Sequence, residues 1–284
     1  MPHHVSSDCR SLEPTPTPTQ GDDGWIHVKP RSRLRGGGPK SRYVKPPRES
    51  AVQHTPKPLR QDTLRSPEDI AAEYHRVRSR WEDDAACQEL RRRVQEDDIP
   101  SVSRAVCLGI GTFDPPDGGW ETKRRTFVQL IAFLVLVESL GWSIPAMLHG
   151  PHSSPTAARS ADFLEPVFTP SDKKFIESLG HQVVESPGGF DKIDDSSMLF
   201  GVHLYRPIYA KALDRSLPAI FVGTDLDVWD WVTLGQTSEL ASVQNVKVIE
   251  ETYAKREFPQ DASSTAFSST SWYWRRPDKG SART

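Results

Sequence analysis

The sequence predicts an α/β fold: a Rossmann-like, mostly parallel sheet with helices on both faces, preceded by an amphipathic helix and a disordered N-terminal tail. After Pro100, short apolar runs alternate with helical stretches, which is typical of a parallel sheet covered by helices. Residues 66–98 repeat apolar positions at helical spacing. Residues 1–65 are rich in Pro, Thr, Arg and Lys.

The N-terminal tail, residues 1–65, is predicted to be disordered. It contains a Pro-Thr repeat at 14–18 and three consecutive glycines at 36–38. Such a segment buries too little apolar surface to offset the conformational entropy lost on ordering. We therefore expect no packed structure before the first helix.

The tail is also strongly basic. Its segment 29–60 holds ten Lys and Arg residues against one acid, Glu49, and Trp25 lies just before this segment. One interpretation is a solvated tail. The other is a short motif for docking a protein partner or for nuclear import. Binding of the tail to nucleic acid would be non-specific and salt-dependent.

The bulk properties of the chain exclude several classes of protein. A formal net charge of -2 over 284 residues does not fit a domain built to hold nucleic acid. The three cysteines are odd in number and lie outside metal-ligand spacings, which excludes a disulfide framework. The longest apolar run, Phe127 to Val137, is roughly half the ~20 residues that span a bilayer. With no secretory signal at the N-terminus, we expect a cytoplasmic or nuclear protein without a membrane segment.

The helix predicted over 66–98 has a clear beginning. Ser66 can cap it and Pro67 suits its first position. The periodicity extends to about Gln95. One stripe of this helix is formed by Ile70, Tyr74, Val77 and Trp81. Because this stripe is apolar, it must pack against the α/β domain that follows.

The α/β domain is predicted to occupy residues 99–276, with residues 277–284 disordered. Its strands are predicted at 105–108, 163–168, 182–185, 198–202, 219–222 and 246–249. Its helices are predicted at 121–140, 171–179, 207–215 and 226–239. The segment 264–274, rich in Ser, Thr and aromatic residues, predicts an extended edge strand or a hairpin.

The carboxyl ends of the predicted strands indicate where a ligand would bind, because open α/β sheets bind ligands there. Gly109 and Gly111 follow the first strand and permit a tight turn and close approach of the backbone to a ligand. Glu165 ends the second strand, where Rossmann-type folds bind ribose hydroxyls. These residues suggest a pocket for a nucleotide or S-adenosylmethionine. The third glycine of a dinucleotide fingerprint is absent, and the alternatives are a turn at the glycines and a surface acid at Glu165.

Two further polar positions follow the fourth and fifth strands. His203 is a candidate general base and ligand-binding residue, with a hydrogen-bonded structural histidine as the alternative. Asp225, Asp227 and Asp230 follow the fifth strand. Their spacing is compatible with a hard metal ion, but acids in the first turn also stabilise a helix. We favour capping, predict no metal site, and keep Asp225 as a candidate ligand-binding residue.

Five blocks of sequence carry a resemblance to a known family. They are Val106–Phe113, Leu164–Glu185, Met198–Tyr205, Ala219–Asp225 and Thr265–Trp274. In this order they resemble the Sensitivity to Red Light Reduced-like domain, over about residues 101–275. The most specific block is Glu-Pro-Val-Phe-Thr at 165–169, and the long Pro-rich tail resembles that of fungal members.

This resemblance implies a Rossmann-like fold and a regulatory role in signalling, transcription and growth control, with no catalytic residues to carry over. Many members have a Pro-His-Cys block after the fourth strand, where this chain has Val202, His203 and Leu204. The leading hypothesis is a regulatory protein without established catalysis that binds protein partners. The alternative is a methyltransferase-like enzyme using S-adenosylmethionine, or a nucleotide-binding enzyme.

Overall fold

The structure is a computed structural model that describes residues 64–142, 159–225, 240–260 and 263–276, with the side chains of 240–244 and 246 excepted. The predicted tail before residue 64, the predicted helix 226–239 and the C-terminal residues 277–284 lie outside this range. Asp227 and Asp230 lie outside it as well.

Seven strands form one mixed sheet. They are β1 (Arg104–Leu108), β2 (Asp162–Leu164), β3 (Gln182–Val183), β4 (Ser197–Gly201), β5 (Ile220–Thr224), β6 (Tyr253–Glu257) and β7 (Thr270–Arg275). Their spatial order is β3-β2-β1-β4-β5-β7-β6. The first five strands are parallel to one another, and β7 is antiparallel to both β5 and β6. The Rossmann-like, mostly parallel sheet is therefore confirmed.

Within the part of the chain that the structure describes, six α-helices surround the sheet. They are α1 (Pro67–Glu82), α2 (Ala85–Glu96), α3 (Trp120–Ser139), α4 (Pro170–Ser178), α5 (Arg206–Leu213) and α6 (Leu240–Thr252), with a short 3-10 helix at Phe190–Lys192. None of the helices within the described ranges is long and apolar enough to cross a membrane.

The helices cover both faces of the sheet, as predicted. On one face, Phe133 of α3 packs edge-on against Phe163 and Phe200, with ring centroids 5.3 and 5.5 Å apart. On the other face, Tyr209 of α5 packs edge-on against Phe221 at 5.7 Å. Because successive residues of a strand point to opposite faces, a fully buried strand needs apolar side chains throughout, and β4 and β5 are buried along their whole length.

The helical region before the sheet consists of two helices, not the single helix predicted over 66–98. Ser66 caps α1 by accepting from the Asp69 amide at 3.1 Å, as expected. Asp84 then caps α2 by accepting from the Ala86 amide at 2.8 Å. A second capping side chain within the apolar periodicity therefore ends one helix and begins another.

A buried ion pair joins α1 to α3. Arg78 is 8% exposed, and it donates to Glu138 at 2.9 Å and to the Tyr74 hydroxyl at 2.7 Å. Burial raises the pKa of Tyr74. The Arg78 side chain therefore fixes the position of the first helix relative to the α/β domain.

The C-terminal third corrects two predictions. Residues 246–249, predicted as a strand, lie within α6. The edge strand on that side is Tyr253–Glu257, which the sequence analysis missed, and β7 lies between it and β5 rather than at the edge. A short apolar run such as Val-Lys-Val-Ile fits a strand and a helix equally well, and here Ile249 is buried while Val248 is 40% exposed.

Candidate functional site at the carboxyl edge of the sheet

The carboxyl ends of β1, β2, β4 and β5 lie at one edge of the sheet, because these strands are parallel. The strand order changes direction between β1 and β4. From β1 the chain proceeds outward to β2 and β3, and from β4 it proceeds outward on the other side to β5. In doubly wound folds this switch point is where ligands bind. The candidate residues at the ends of these strands therefore share one edge, as predicted.

The loop after β1 is shaped by its two glycines. Gly109 and Gly111 have φ of 69° and 85°, a left-handed conformation that costs glycine little. A Cβ at Gly111 would also lie 3.2 Å from Thr126 Oγ1 of α3. The turn brings the Gly111 amide within 2.7 Å of Glu165 Oε2, to which it donates. The other oxygen of Glu165 accepts from the Val167 amide at 3.1 Å.

A second contact holds the same loop to α4. The Thr112 hydroxyl donates to Asp172 Oδ2 at 2.6 Å, and Asp172 also accepts from the Thr169 amide at 2.8 Å. Thr169 returns a capping contact to the Asp172 amide, which completes a capping box at the start of α4. We refer to Gly109, Gly111, Thr112, Glu165 and Asp172 as the glycine cluster.

The two carboxyl groups of the glycine cluster are buried. Glu165 is 7% exposed and Asp172 is 0% exposed. Burial raises the pKa of Glu165, although hydrogen bonds from the Val167 and Gly111 amides oppose the rise. Burial likewise raises the pKa of Asp172 against hydrogen bonds from Thr112 and Thr169. Each carboxylate thus balances desolvation against donors of the chain itself.

His203 belongs to a separate group at the ends of β4 and β5. Its backbone has φ of 58° and its amide donates to Thr224 Oγ1 at 3.2 Å. Its Nε2 lies 2.8 Å from the Ser268 carbonyl oxygen, which can only accept, so Nε2 carries a proton. Tyr209 donates to the Gly201 carbonyl and accepts from the Thr224 amide at 2.9 Å. We refer to His203, Tyr209, Thr224 and Ser268 as the histidine cluster.

Asp225 is held by the antiparallel hairpin. It accepts from Lys255 at 2.9 Å and from the Ser271 hydroxyl at 2.6 Å. Lys255 also donates to Glu250 at 2.6 Å. Burial lowers the pKa of Lys255, but its two carboxylate partners outweigh that effect and raise it overall. In this arrangement Asp225 contributes an ion pair between β5 and the hairpin.

The switch point itself is packed with the chain's own side chains. A Cβ at Gly201, the last residue of β4, would lie 2.6 Å from Leu204 Cδ1 and 3.8 Å from Leu108 Cβ. Leu204 is 9% exposed. Its side chain therefore folds back over the end of β4 and occupies space next to the end of β1.

The sequence analysis found the edge but not the contacts within it. Gly111 and Glu165 are in direct contact, whereas the contacts of His203 run to Thr224 and Ser268 and those of Asp225 run to the hairpin. The partners that were missed include Thr112, Asp172, Tyr209, Ser268 and Lys255. Of these contacts, only the Thr169–Asp172 pair could have been predicted from the sequence, because its three-residue spacing is that of a capping box.

Among the described residues, no group of three or more His, Cys, Asp or Glu side chains is arranged to hold a metal ion. Cys87 and Cys107 are free and buried. Burial raises the pKa of the Cys107 thiol well above its usual value, and the nearby Glu165 carboxylate adds to the rise. A thiol with a raised pKa is a poor nucleophile.

Comparison with protein families gives one match over most of the chain. The family model described as SRR1 domain matches residues 86–274, from α2 to the end of β7. No curated protein sequence gives a significant match.

Three solved structures have a similar arrangement. One is a provisionally assigned O-methyltransferase from Klebsiella pneumoniae, 12% identical, which matches over 73% of this chain and 97% of that chain with a TM-score of 0.35. A Thermoplasma acidophilum protein is 9% identical over 69% and 99%, with a TM-score of 0.30. A cofactor-bound protein from MTB is 11% identical over 76% and 100%, with a TM-score of 0.31. Likenesses with such low TM-scores carry no argument about activity.

Proposed function

The chain belongs to the SRR1 domain family, and from this membership and the geometry of the carboxyl edge we propose that it is a regulatory protein. It acts in signalling or transcription-linked control by binding partners rather than by catalysis. We assign this role to residues 99–276, with the helical region 66–98 packed against them.

One observation carries the proposal: Glu165 and His203 at the carboxyl edge form hydrogen bonds within the chain. Both oxygens of Glu165 accept backbone amides, and the Nε2 proton of His203 is directed at the Ser268 carbonyl. Leu204 fills space at the switch point. A general base must be free to reach a substrate proton, so the Glu165 carboxylate, both of whose oxygens are occupied, is suited to structural support.

The substitution His203→Asn tests this proposal in cells. Asn tolerates the positive φ at this position and removes the imidazole. In cells lacking the gene we expect altered transcript levels, restored equally by the wild-type chain and by His203→Asn. Unchanged transcript levels in the deleted cells would refute a regulatory role. A folded His203→Asn chain that fails to restore them would refute the non-catalytic role.

A second candidate function rests on the glycine cluster. Two glycines with positive φ follow β1, and the Glu165 carboxylate at the end of β2 lies 2.7 Å from the Gly111 amide. Rossmann-type folds bind nucleotides or S-adenosylmethionine with a glycine turn and an acid at these places. The alternative is therefore a nucleotide-binding or methyltransferase-like enzyme.

A thermal-shift panel with S-adenosylmethionine and nucleotides separates the two functions. A ligand at about a hundred times its Kd adds roughly 2.7 kcal/mol to stability. Under the first proposal we expect no shift with any member of the panel. A shift that is lost in Glu165→Gln but kept in the exposed variant Glu185→Gln would establish the second.

We further propose that the basic tail, residues 1–65, which contains Trp25, serves partner docking or nuclear import in a chain that works in the cytoplasm or nucleus. The Pro-rich tail also leads us to propose a fungal-type member of the family. Deletion of residues 1–65 is expected to change the nuclear fraction measured by microscopy of a tagged chain. An unchanged distribution and an unchanged set of partners would remove the tail from the function.

A further inference from the structure

A groove lies between α1 and the beginning of α3. Its volume is about 670 Å³, within the range of about 300–1,000 Å³ typical of binding pockets. We call it the α1–α3 groove. The residues that line it include Val77, Arg80, Trp81, Trp120, Lys123 and Arg124.

Two tryptophans give the α1–α3 groove its apolar character. Trp81 of α1 is 3% exposed, and its Nε1 donor has no hydrogen-bond partner among the described residues. Buried indole N–H groups usually find an acceptor, and an unmet donor is costly. Trp120, the first residue of α3, is 68% exposed. A large aromatic side chain left in solvent beside a groove is typical of a binding anchor.

The charges of the groove favour an acidic occupant. Three cations line it, Arg80, Lys123 and Arg124, against two acids. Both acids are engaged: Glu73 pairs with Arg65 at 2.6 Å and Lys123 at 3.3 Å, and Asp84 caps α2. Within the described part of the chain, Arg80 is exposed and forms no ion pair.

The beginning of α3 adds to this charge preference. Its N-cap, Gly119, makes no side-chain capping hydrogen bond. The first amides of a helix lack partners within the helix, and its dipole favours a negative group there. A carboxylate near Trp120 would therefore lie close to both the Lys123 ammonium group and the N-terminus of α3.

We propose that the α1–α3 groove binds a short acidic segment of another protein that carries an aromatic or branched apolar side chain. The apolar side chain packs on Trp120 and Val77, and the carboxylates face Arg80 and Lys123. Three cations against two acids leave an excess of one, whereas a nucleic-acid backbone needs several uncompensated cations; the peptide also gains apolar contact with Trp120 and Val77.

This inference deepens the proposed function, since it names a surface through which a regulatory protein binds a partner. The two are distinguishable. The transcript measurements above test regulation in cells without reference to the groove, whereas the experiment below uses purified full-length chain and tests the groove alone.

The probe is a fluorescein-labelled peptide, Gly-Ser-Asp-Glu-Leu-Phe-Glu-Asp-Ser-Gly, titrated with the full chain and followed by fluorescence anisotropy. Three counterparts use the same label: one with every acid replaced by Lys, one with Leu and Phe replaced by Ser, and an oligothymidylate. We expect the acidic apolar peptide to bind at least about tenfold more tightly than each counterpart, equivalent to about 1.4 kcal/mol.

Substitutions in the groove locate the binding. Trp120→Ala and Arg80→Glu are each expected to weaken the acidic peptide about tenfold, in line with aromatic and Arg anchors elsewhere. The matched controls are Tyr205→Ala, which removes another exposed aromatic residue (57% exposed), and Arg76→Glu, which makes the same charge change on α1 outside the groove lining. Both controls are expected to bind within about twofold of wild type.

Three results would overturn the proposal. The acidic apolar peptide could bind no more tightly than its counterparts, or the oligothymidylate could bind best, which would identify a nucleic-acid surface. Equal losses in the groove variants and their controls would place binding elsewhere. Circular dichroism and urea unfolding of each variant exclude loss of folding as the cause.

Discussion

The carboxyl edge of the sheet and the α1–α3 groove differ in which of their hydrogen-bonding side chains have partners within the chain. At the carboxyl edge, Glu165 and His203 are bound to groups of the same chain. In the groove, the Trp81 indole lacks an acceptor and Arg80 lacks an ion pair among the described residues. The difference teaches that position at a switch point is not enough to make a binding site; unmet bonding capacity has to be present there too.

The largest expected effect comes from Arg78→Ala, which breaks the ion pair between α1 and α3. Removing Arg78 leaves Glu138 and the Tyr74 hydroxyl without their buried partner. Breaking a buried ion pair costs about 4 kcal/mol, and we expect that loss in the free energy of unfolding measured in urea. Arg76→Ala, an exposed position on the same helix, should cost less than about 0.5 kcal/mol. A loss below about 1 kcal/mol in Arg78→Ala would mean that the pair does not hold α1 against α3.

The pH dependence of stability contains a contribution from His181, which belongs to neither region. This contribution has to be measured before the pH dependence of the carboxyl edge is tested. His181 is 4% exposed, and burial lowers its pKa from 6.5 to about 4. The unfolded chain takes up this proton first, so stability is full above pH 6.5 and falls as the pH drops towards 4. The expected loss is about 3 kcal/mol. His181→Gln should flatten this dependence in urea unfolding at several pH values; an unchanged slope would show that another group titrates.

The substitution Glu165→Gln tests how the carboxyl edge contributes to the free energy of unfolding. Gln offers one acceptor where Glu165 meets two amides, those of Gly111 and Val167. An unmet buried donor costs about 1–3 kcal/mol, and relief from burying a charge offsets part of this. We expect a net loss of about 1 kcal/mol in urea unfolding at neutral pH. Glu185→Gln, whose parent side chain is 87% exposed, should be neutral. A stabilised Glu165→Gln would show that desolvation dominates.

Glu165 also has a pH signature opposite in sign to that of His181. Because burial raises the pKa of Glu165 in the folded chain, folding favours its protonated form. The stability it contributes is therefore fully present below the unfolded pKa of 4.5 and is lost as the pH rises through the folded pKa. In a His181→Gln background, this decline should be seen with Glu165 and be absent with Glu165→Gln. Parallel curves for the two chains would contradict the raised pKa.

The smallest effect on stability is expected for Trp120→Ala, although the same substitution is expected to weaken peptide binding about tenfold. Its side chain is mostly in solvent, so Trp120→Ala should change the free energy of unfolding by less than about 0.5 kcal/mol. The same variant is expected to lose peptide binding, as described above. A large loss of stability would instead assign Trp120 a packing role and weaken its use as an anchor.

The order of elements could be read from the sequence where patterns were long or chemically marked. The apolar run of α3 and the Ser66-Pro67 beginning of α1 were predicted within about one residue of the observed bounds. Short segments were harder. Residues 246–249 form part of a helix, and Tyr253–Glu257, which ends in three consecutive charged residues, forms the edge strand. An edge strand packs on one side only, so its sequence carries little apolar signal.

The candidate site was likewise predictable from the sequence only in part. The residues at strand ends were predictable because parallel strands end at one edge, and the glycines were predictable because positive φ favours them. The partners were not, since Thr112 meets Asp172 and His203 meets Ser268 across 60 and 65 residues of sequence.

Local chemistry in the chain was sufficient to establish the class of fold, the family and the edge at which a ligand would be expected. Whether that edge is open depends on contacts between distant segments: Leu204 folded over Gly201, amides turned onto Glu165, and α1 held against α3 by Arg78. Hydrogen-bond satisfaction and packing are properties of the assembled chain, because a donor and its acceptor can be far apart in sequence and become neighbours only on folding.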